Sequence, residues 1–438
     1  MSTRTTRRRF LGASAAACWA VPQLYAAEAT SSPNETLNLG VIGCGARGRQ
    51  VLRRFKELPG NRVVAVCDVN WKHANHVKDH YGGGKVPMHG DFRKLLDQKD
   101  VDAVLIATQA HWHVLTTIAS CQAGKDVYVE KPLSNFIGEG RFAIEAAKKY
   151  DRVVQIGTQQ RSWEQYQKAV EVLRSGLLGE ISEVKVWDYS NWCPGNGSPP
   201  DCDPPEELNW DFYVGPSPYR NYNPNIYYGY GYDWFKLSGA GHQVAWGVHH
   251  YDIVNWAMGV TDPVSAVACG GKFAMPDDNR EWPDTFDGIV EYGPGPVAKN
   301  GFVMQYTMRI GARRDFRAHA KCFLGSKGSL LLDRSGYTIT SEERKINGKR
   351  EKVIEEDTFR GGEDNHQEVF LQCVRDRKTP PADLEAGYYS VLPGHLMNVS
   401  YLVGRKVDWD AKKQEAVGDE EANALVNQEY RAPWKLEV

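Results

Sequence analysis

The stretch Leu37-Asn38-Leu39-Gly40-Val41-Ile42-Gly43-Cys44-Gly45-Ala46-Arg47-Gly48 decides the fold of this 438-residue chain. Its first six residues form an apolar run of strand length. The next six spell a complete G-x-G-x-x-G, and a helical pattern follows at Val51, Leu52 and Phe55. Alone, such a glycine motif is weak; between a strand and a helix it has the setting a dinucleotide requires. Gly43 permits the tight turn, Gly45 lets backbone approach a pyrophosphate, and Gly48 allows close helix–strand packing. The helix start, from Ala46 and Arg47 onward, offers its amides to the phosphates.

The next apolar run, Arg62 to Cys67, ends at Asp68, 20 residues past Gly48. An acid there bonds the adenosine ribose hydroxyls and repels a 2′-phosphate, which favours NAD over NADP. Asn70 and Lys72 leave NADP open. Two further runs follow at strand–helix spacing. Val101 to Ala107 ends at Thr108-Gln109-Ala110-His111-Trp112-His113, and Asp126 to Val129 ends at Glu130-Lys131-Pro132. Val153 to Gly157 adds another strand. This alternation predicts a parallel, doubly wound sheet with ligands at the strands' carboxyl ends.

Composition sets the outer limits. The chain is 25% charged and 42% hydrophobic with a formal net charge of −2, which excludes a disordered chain and a phosphate-gripping nucleic-acid binder. At the start, Arg7-Arg8-Arg9-Phe10-Leu11-Gly12 carries the twin-arginine pattern, followed by an apolar stretch to Val21 that is too short to span a bilayer. Cleavage is expected after Ala26 or Ala29, giving a signal over 1–29, a linker over 30–36 and a periplasmic protein without a membrane anchor. That route exports folded proteins, so a tightly held nucleotide is compatible with it. The nine cysteines form no C-x-x-C pair; Cys193 and Cys202 share a loop-like stretch and are candidates for a bridge.

After Ile181 come β-rich runs at Glu183–Trp187, 264–268, Thr285–Tyr292, Phe302–Met308, His319–Leu324 and 329–332, without crossover helices. They predict an antiparallel sheet. Helical patterns close the chain at 366–375, 388–402 and 419–430.

Together these residues resemble the Gfo/Idh/MocA family of nicotinamide-dependent sugar oxidoreductases. The resemblance rests on the Gly43-Gly45-Gly48 fingerprint, Asp68, Ala107-Thr108, Glu130-Lys131-Pro132, Ser175 to Ile181 and Gly239 to Asp252. It implies an N-terminal α/β Rossmann domain, here 37–157, and an α+β C-terminal domain with an open, mostly antiparallel sheet, here 158–438. It further implies a homodimer or homotetramer through that sheet and a carbohydrate or cyclitol substrate between sheet and nicotinamide. Thr108, His113, Glu130 and Lys131 are assigned to the cofactor alongside the fingerprint and Asp68.

In the family the lysine before proline reaches the reacting hydroxyl, often across a cis bond, and Lys131 takes that role here. A partly desolvated lysine has a lowered pKa, which suits proton transfer. Ser238 to Asp252 resembles the family stretch in which an Asp and a His four residues apart share one helical face. His249 matches the histidine, but Ala245 stands where the Asp is expected. Gln243, His250, Asp233 or a nearby Tyr is a candidate replacement; alternatively Lys131 and His249 suffice, or the protein binds more than it converts. Asp252 reads as a helix-stabilising acid. His111 and His113 lack a third ligand at metal spacing, so no metal is expected and packing near the nicotinamide ribose or substrate is preferred. Arg161 is a candidate substrate contact or a salt-bridge partner.

Residues 187–235 hold 14 aromatics in 49 positions, against 11% for the chain. Flat aromatic faces with polar tips suit sugar rings, and half of these side chains are expected to pin the loop instead. Tyr189, Trp234 and His250 join Arg161 as substrate candidates. Two functions compete with the oxidoreductase: an NAD-dependent glycosidase acting by transient oxidation and elimination, and a non-catalytic cofactor and sugar binder.

Overall fold

The computed structural model describes residues 36–228, 231–313, 317–363 and 365–438, without the side chains of 231, 232 and 346. The expected signal, its Cys18 and nearly all of the linker lie outside the described residues, as do Tyr230 and the Tyr232 side chain.

Six strands alternate with helices in the first part: β1 (Leu37–Ile42), α1 (Ala46–Lys56), β2 (Asn61–Cys67), α2 (Trp71–Tyr81), β3 (Met88–His89), α3 (Phe92–Leu96), β4 (Ala103–Ile106), α4 (Ala110–Gln122), β5 (Asp126–Val129), α5 (Gly140–Lys149) and β6 (Val154–Ile156). All pair in parallel, in the order β3-β2-β1-β4-β5-β6. Helix α1 shows why the pattern works: Val51, Leu52 and Phe55 are buried on one face, while Arg53 and Arg54 stay exposed. The strand order reverses between β1 and β4, so their carboxyl ends open a crevice there.

Helix α6 (Glu164–Arg174) leads into β7 (Ile181–Tyr189). A long excursion follows with α7 (Trp210–Val214), α8 (Pro224–Tyr227), α9 (His242–Ala245) and α10 (Val248–Met258). Then come β8 (Ser265–Gly271), β9 (Thr285–Tyr292), β10 (Phe302–Arg309), β11 (His319–Gly325), β12 (Gly328–Asp333), β13 (Gly336–Ser341), a small hairpin of β14 (Glu343–Ile346) and β15 (Lys349–Lys352), and β16 (Asp357–Arg360). Helices α11 (His366–Asp376) and α12 (Leu384–Val403), strands β17 (Val407–Asp410) and β18 (Glu415–Ala416) and helix α13 (Glu420–Val426) end the chain.

These strands form an open ten-stranded sheet in the order β16-β13-β12-β11-β7-β10-β9-β8-β17-β18. It is mostly antiparallel, with one exception that the absence of crossover helices did not predict: β7 and β10 pair in parallel, Val303 beside Glu183 through Arg309 beside Tyr189. The excursion after β7 contains α10, and a connection that long returns the chain in the same direction. In β9, Phe286, Val290 and Tyr292 point inward and Ile289 points outward. The inner face packs against α12, a 20-residue helix buried along most of its length. Among the described residues no helix is long and apolar enough to cross a membrane.

One detail links the halves. Helix α11 returns to the first sheet, where Phe370, Leu371 and Val374 join Val41, Phe55 and Tyr128 in one core. Cys193 and Cys202 are both free. Cys193 Sγ lies against the Ala274 and Gly311 carbonyls at 4.0 and 3.9 Å, whereas the Cys202 segment pairs with Tyr222. The bridge considered from sequence therefore does not form.

Candidate active site

A cleft of about 1490 Å³ opens at the carboxyl ends of the parallel strands and runs to α9, the start of α10 and the turn between β12 and β13. At one end lies the glycine fingerprint. Gly43 has φ +94°, and a Cβ there would sit 2.5 Å from the Ala107 carbonyl. A Cβ on Gly48 would lie 2.1 Å from the Gly43 carbonyl, so helix and turn touch directly. Gly45 differs: its φ of −67° suits any residue, and nothing lies within 4 Å of where a Cβ would be. The space it keeps open belongs to something other than protein. It sits at the N-cap of α1, where no side chain caps the helix. An open cradle at an uncapped helix start fits a dinucleotide's pyrophosphate.

Around it the side chains hold one another. Asp68 accepts from the Cys44 amide at 2.6 Å and the Asn70 amide at 2.7 Å. Burial raises its pKa, and those amides oppose the rise. Both oxygens keep lone pairs for ribose hydroxyls. Arg47 pairs with buried Glu130 at 2.8 Å. His113 lies between the Pro132 and Thr108 carbonyls at 2.6 and 3.1 Å, and burial lowers its pKa. Thr108 also lines the cleft.

The other end gathers Lys131, Asp233, His242, Ala245, Trp246, His249 and Arg334. The Lys131-Pro132 bond is cis. Lys131 Nζ donates to the Ala245 carbonyl at 2.7 Å, so the residue lacking the family carboxylate holds the lysine through its backbone. Burial lowers the Lys131 pKa, against the attraction of Asp233 and Glu130. Burial also pushes Asp233 up to about 6, with Lys131 opposing. His249 falls well below the ordinary imidazole value, through burial and then the Lys131 and Arg334 charges, so it is neutral. Its Nδ1 is buried and has no hydrogen-bond partner among the described residues.

Residues 245 and 249 do not share one continuous helix. Tyr251 donates its hydroxyl to the Gln243 carbonyl at 2.8 Å, taking an acceptor that helix extension would use. A Cβ on Gly247 would lie 2.0 Å from that carbonyl, so only glycine fits the resulting break between α9 and α10.

Of the candidate replacements for the missing carboxylate, Asp233 reaches the cleft. Gln243 is buried against Asn398 at 2.6 Å, and His250 is buried behind the cleft near His319. Four proposed substrate contacts need correction. Arg161 grips buried Asp252 at 2.8 and 3.0 Å, so both residues are scaffold. His250 does not line the cleft. Trp234 lies behind it, stacked on His242 at 5.4 Å and covered by Arg280 at 4.8 Å. Tyr189 ends β7 and is not among the residues that line the cleft. His111 is likewise buried, on the Tyr213 carbonyl at 2.9 Å. Among the described residues no group of three His, Cys, Asp or Glu is placed to hold a metal.

Sequence reasoning missed two cleft residues. His242 Nε2 bonds Asp188 at 2.7 Å, a buried dyad beside Trp192 and Trp246. Arg334 lies in the turn between β12 and β13. The Gly239-Ala240-Gly241 run before His242 was the available signal for the first; nothing in the sequence marked the second.

The aromatic stretch divides. Trp187, Trp210, Tyr222 and Phe235 are buried pins. Phe212, Tyr213 and Tyr227 line the cleft beside Asp68 and Asn70, with Tyr227 accepting from Asn70 at 2.7 Å. Trp192 lines the other end, next to His242.

Comparison with known proteins agrees with this layout. The NAD-binding Rossmann-fold model of the Gfo/Idh/MocA oxidoreductase family matches residues 37–158. The family's C-terminal alpha/beta model matches residues 353–436. An inositol 2-dehydrogenase/D-chiro-inositol 3-dehydrogenase of Shouchella clausii is 35% identical over 152 residues, 34% of this chain and 44% of that protein. The chain thus spans under half the length of such curated relatives. Among solved structures, the WlbA dehydrogenase of Bordetella pertussis, in complex with NADH and UDP-GlcNAcA, aligns over 86% of this chain and 99% of its own, with a TM-score of 0.63 and 17% identity. An aldose-aldose oxidoreductase of Caulobacter crescentus, complexed with glycerol, aligns over 85% and 99%, with a TM-score of 0.62 and 17% identity. At those identities the likeness is one of fold. Residues 37–158 are an NAD-binding Rossmann fold, and the chain carries both domain signatures of the Gfo/Idh/MocA oxidoreductase family.

Proposed function

We propose that the protein is an exported NAD-dependent oxidoreductase that exchanges hydride with a hydroxyl of a sugar or cyclitol. The observation that carries this reading is the meeting of Lys131, His249 and Asp233 at the far end of a cleft that begins at the glycine fingerprint. The nicotinamide supplies the hydride chemistry, and the protein supplies position and proton handling. Lys131, with its lowered pKa, takes the hydroxyl proton in the oxidising direction and returns it in the reducing one. Neutral His249 orients the hydroxyl, and Asp233 serves as the carboxylate absent at position 245. Asp68 favours NAD over NADP. The inositol dehydrogenases among the relatives support a polyol substrate.

The twin-arginine sequence over 1–29 supports a periplasmic location, where little free cofactor is present and the bound nucleotide is retained. The second sheet's outer face supports a homo-oligomer. There Val267 and Ile289 sit side by side on β8 and β9, 40% and 45% exposed, with Val303 at 38% on β10.

The test is direct. The purified mature protein, with NAD bound, is incubated with sugars, cyclitols and aryl glycosides while absorbance near 340 nm is followed. Reduction of the bound cofactor is expected, and Lys131→Ala loses it by about 10²–10⁴-fold while still binding NAD. Aglycone release without net reduction would replace this reading with a redox-neutral glycosidase.

A further inference from the structure

Arg334 is the unexplained charge of the cleft. Its guanidinium lies 5.7 Å from the Trp163 ring centre and 5.0 Å from that of Trp246, and all three residues line the cleft. Indole faces hold a guanidinium in place without neutralising it. Among the described residues it has no carboxylate partner and donates no side-chain hydrogen bond; its Nε is buried and unpaired. Its acidic neighbours have other partners: Glu363 pairs with Arg54, Asp333 with Arg317, Asp188 with His242, and Glu130 with Arg47. Lys131 adds a further cation, answered by Asp233. Among the described charged groups at this end of the cleft, Arg334 is therefore a cation left without an acid at ion-pairing distance.

Leaving a partly buried guanidinium with its Nε unpaired carries a desolvation cost, which an arriving anion offsets. A planar fork clamped between flat rings is set for the two oxygens of a carboxylate. We infer that the substrate is an acidic sugar, whose carboxylate pairs with Arg334 while a ring hydroxyl faces Lys131. This rests on the oxidoreductase reading and narrows it from any sugar to a uronic or aldonic acid. Bound carboxylate also removes the Arg334 charge that disfavours protonation of Lys131 and His249, so binding and proton affinity are coupled.

The NAD-loaded protein is assayed with glucuronate and galacturonate, the parent sugars glucose and galactose, the corresponding uronamides and glucose 6-sulfate. The acids are expected to exceed the neutral parents and the amides in kcat/KM by about 10–100-fold, the range of a charge-assisted hydrogen-bonded contact. Added salt should reduce that margin. Arg334→Gln should bring the acid-to-neutral ratio close to one, chiefly through KM. Arg334→Lys, which keeps charge but loses the fork, should fall between. Thermal melts of each variant separate lost folding from lost selectivity. If neutral sugars are turned over as well as acids, or Arg334→Gln folds and keeps the preference, the inference fails while the oxidoreductase reading stands. A preference for the sulfate over the uronates would overturn the carboxylate assignment. If no sugar of any kind reduces bound NAD, it is the oxidoreductase reading that falls.

Discussion

The two ends of the cleft are built on opposite plans. At the fingerprint end the polar groups are paired with one another: Asp68 with two amides, Arg47 with Glu130, His113 with two carbonyls. At the far end several are left waiting: His249, Arg334 Nε, the His242 Nδ1 and the Trp246 indole nitrogen. A site that meets the same cofactor every time is best preorganised by the protein itself. A site for a polar substrate keeps donors and acceptors in reserve, and unpaired groups then reject molecules that cannot satisfy them.

The contrast can be broken or sharpened by substitution. Arg161 belongs to neither plan, because its partner is a buried acid behind the cleft. Burial already raises the Asp252 pKa, with Arg161 opposing. Arg161→Leu should cost about 3–5 kcal/mol in urea unfolding, the penalty of stranding a buried charge. The KM of the surviving fold should not move; a rise in KM would return Arg161 to the substrate. Gly45→Val attacks the paired end. The space around Gly45 is empty, so the unliganded protein should melt as before. It should lose the roughly 4 kcal/mol that NAD at a thousand times Kd confers. An unchanged NAD-induced shift would place the pyrophosphate elsewhere. Asp233→Asn tests the waiting end and should lower kcat/KM by roughly 10²-fold at neutral pH. The Asp233 carboxyl titrates at about 6. Below that value it is protonated and cannot accept a proton, so wild-type kcat/KM falls as pH drops through 6. In the Asn variant that acid limb should be absent; its persistence would assign the limb to another group.

How far the sequence could be read follows the same division. The fingerprint end was legible because backbone geometry demands glycine at fixed spacing, and Asp68 follows at the end of the next strand. The second sheet was legible from alternating burial, but its parallel β7–β10 pair was not, since strand direction depends on the long excursion between Tyr189 and Ser265. The far end is assembled from pieces remote in the chain: Lys131 after β5, Asp233 in the excursion, His249 on α10 and Arg334 in a turn between two strands. No spacing rule connects them. Proximity in sequence also misled. Trp234 adjoins Asp233 and His250 adjoins His249, yet each neighbour points away from the cleft. The helix break at Gly247 puts 245 and 249 on separate helices, and the tyrosine hydroxyl that takes the Gln243 carbonyl carries no local signature.

The loop after β2 has one further consequence. Asn209 donates its amide to the Val69 carbonyl at 2.9 Å, and Trp71 donates to the Glu207 carbonyl at 3.1 Å. Lys72 pairs with Glu207 at 3.0 Å, and Asn70 reaches Tyr227. The segment that presents Asp68 is thus stitched to the excursion that carries Asp233. Opening one opens the other, so the two segments form a single cooperative unit of exchange. The amides of Trp71 and Asn209, 138 positions apart in the chain, should share one protection factor and rise together when nucleotide occupies the cleft.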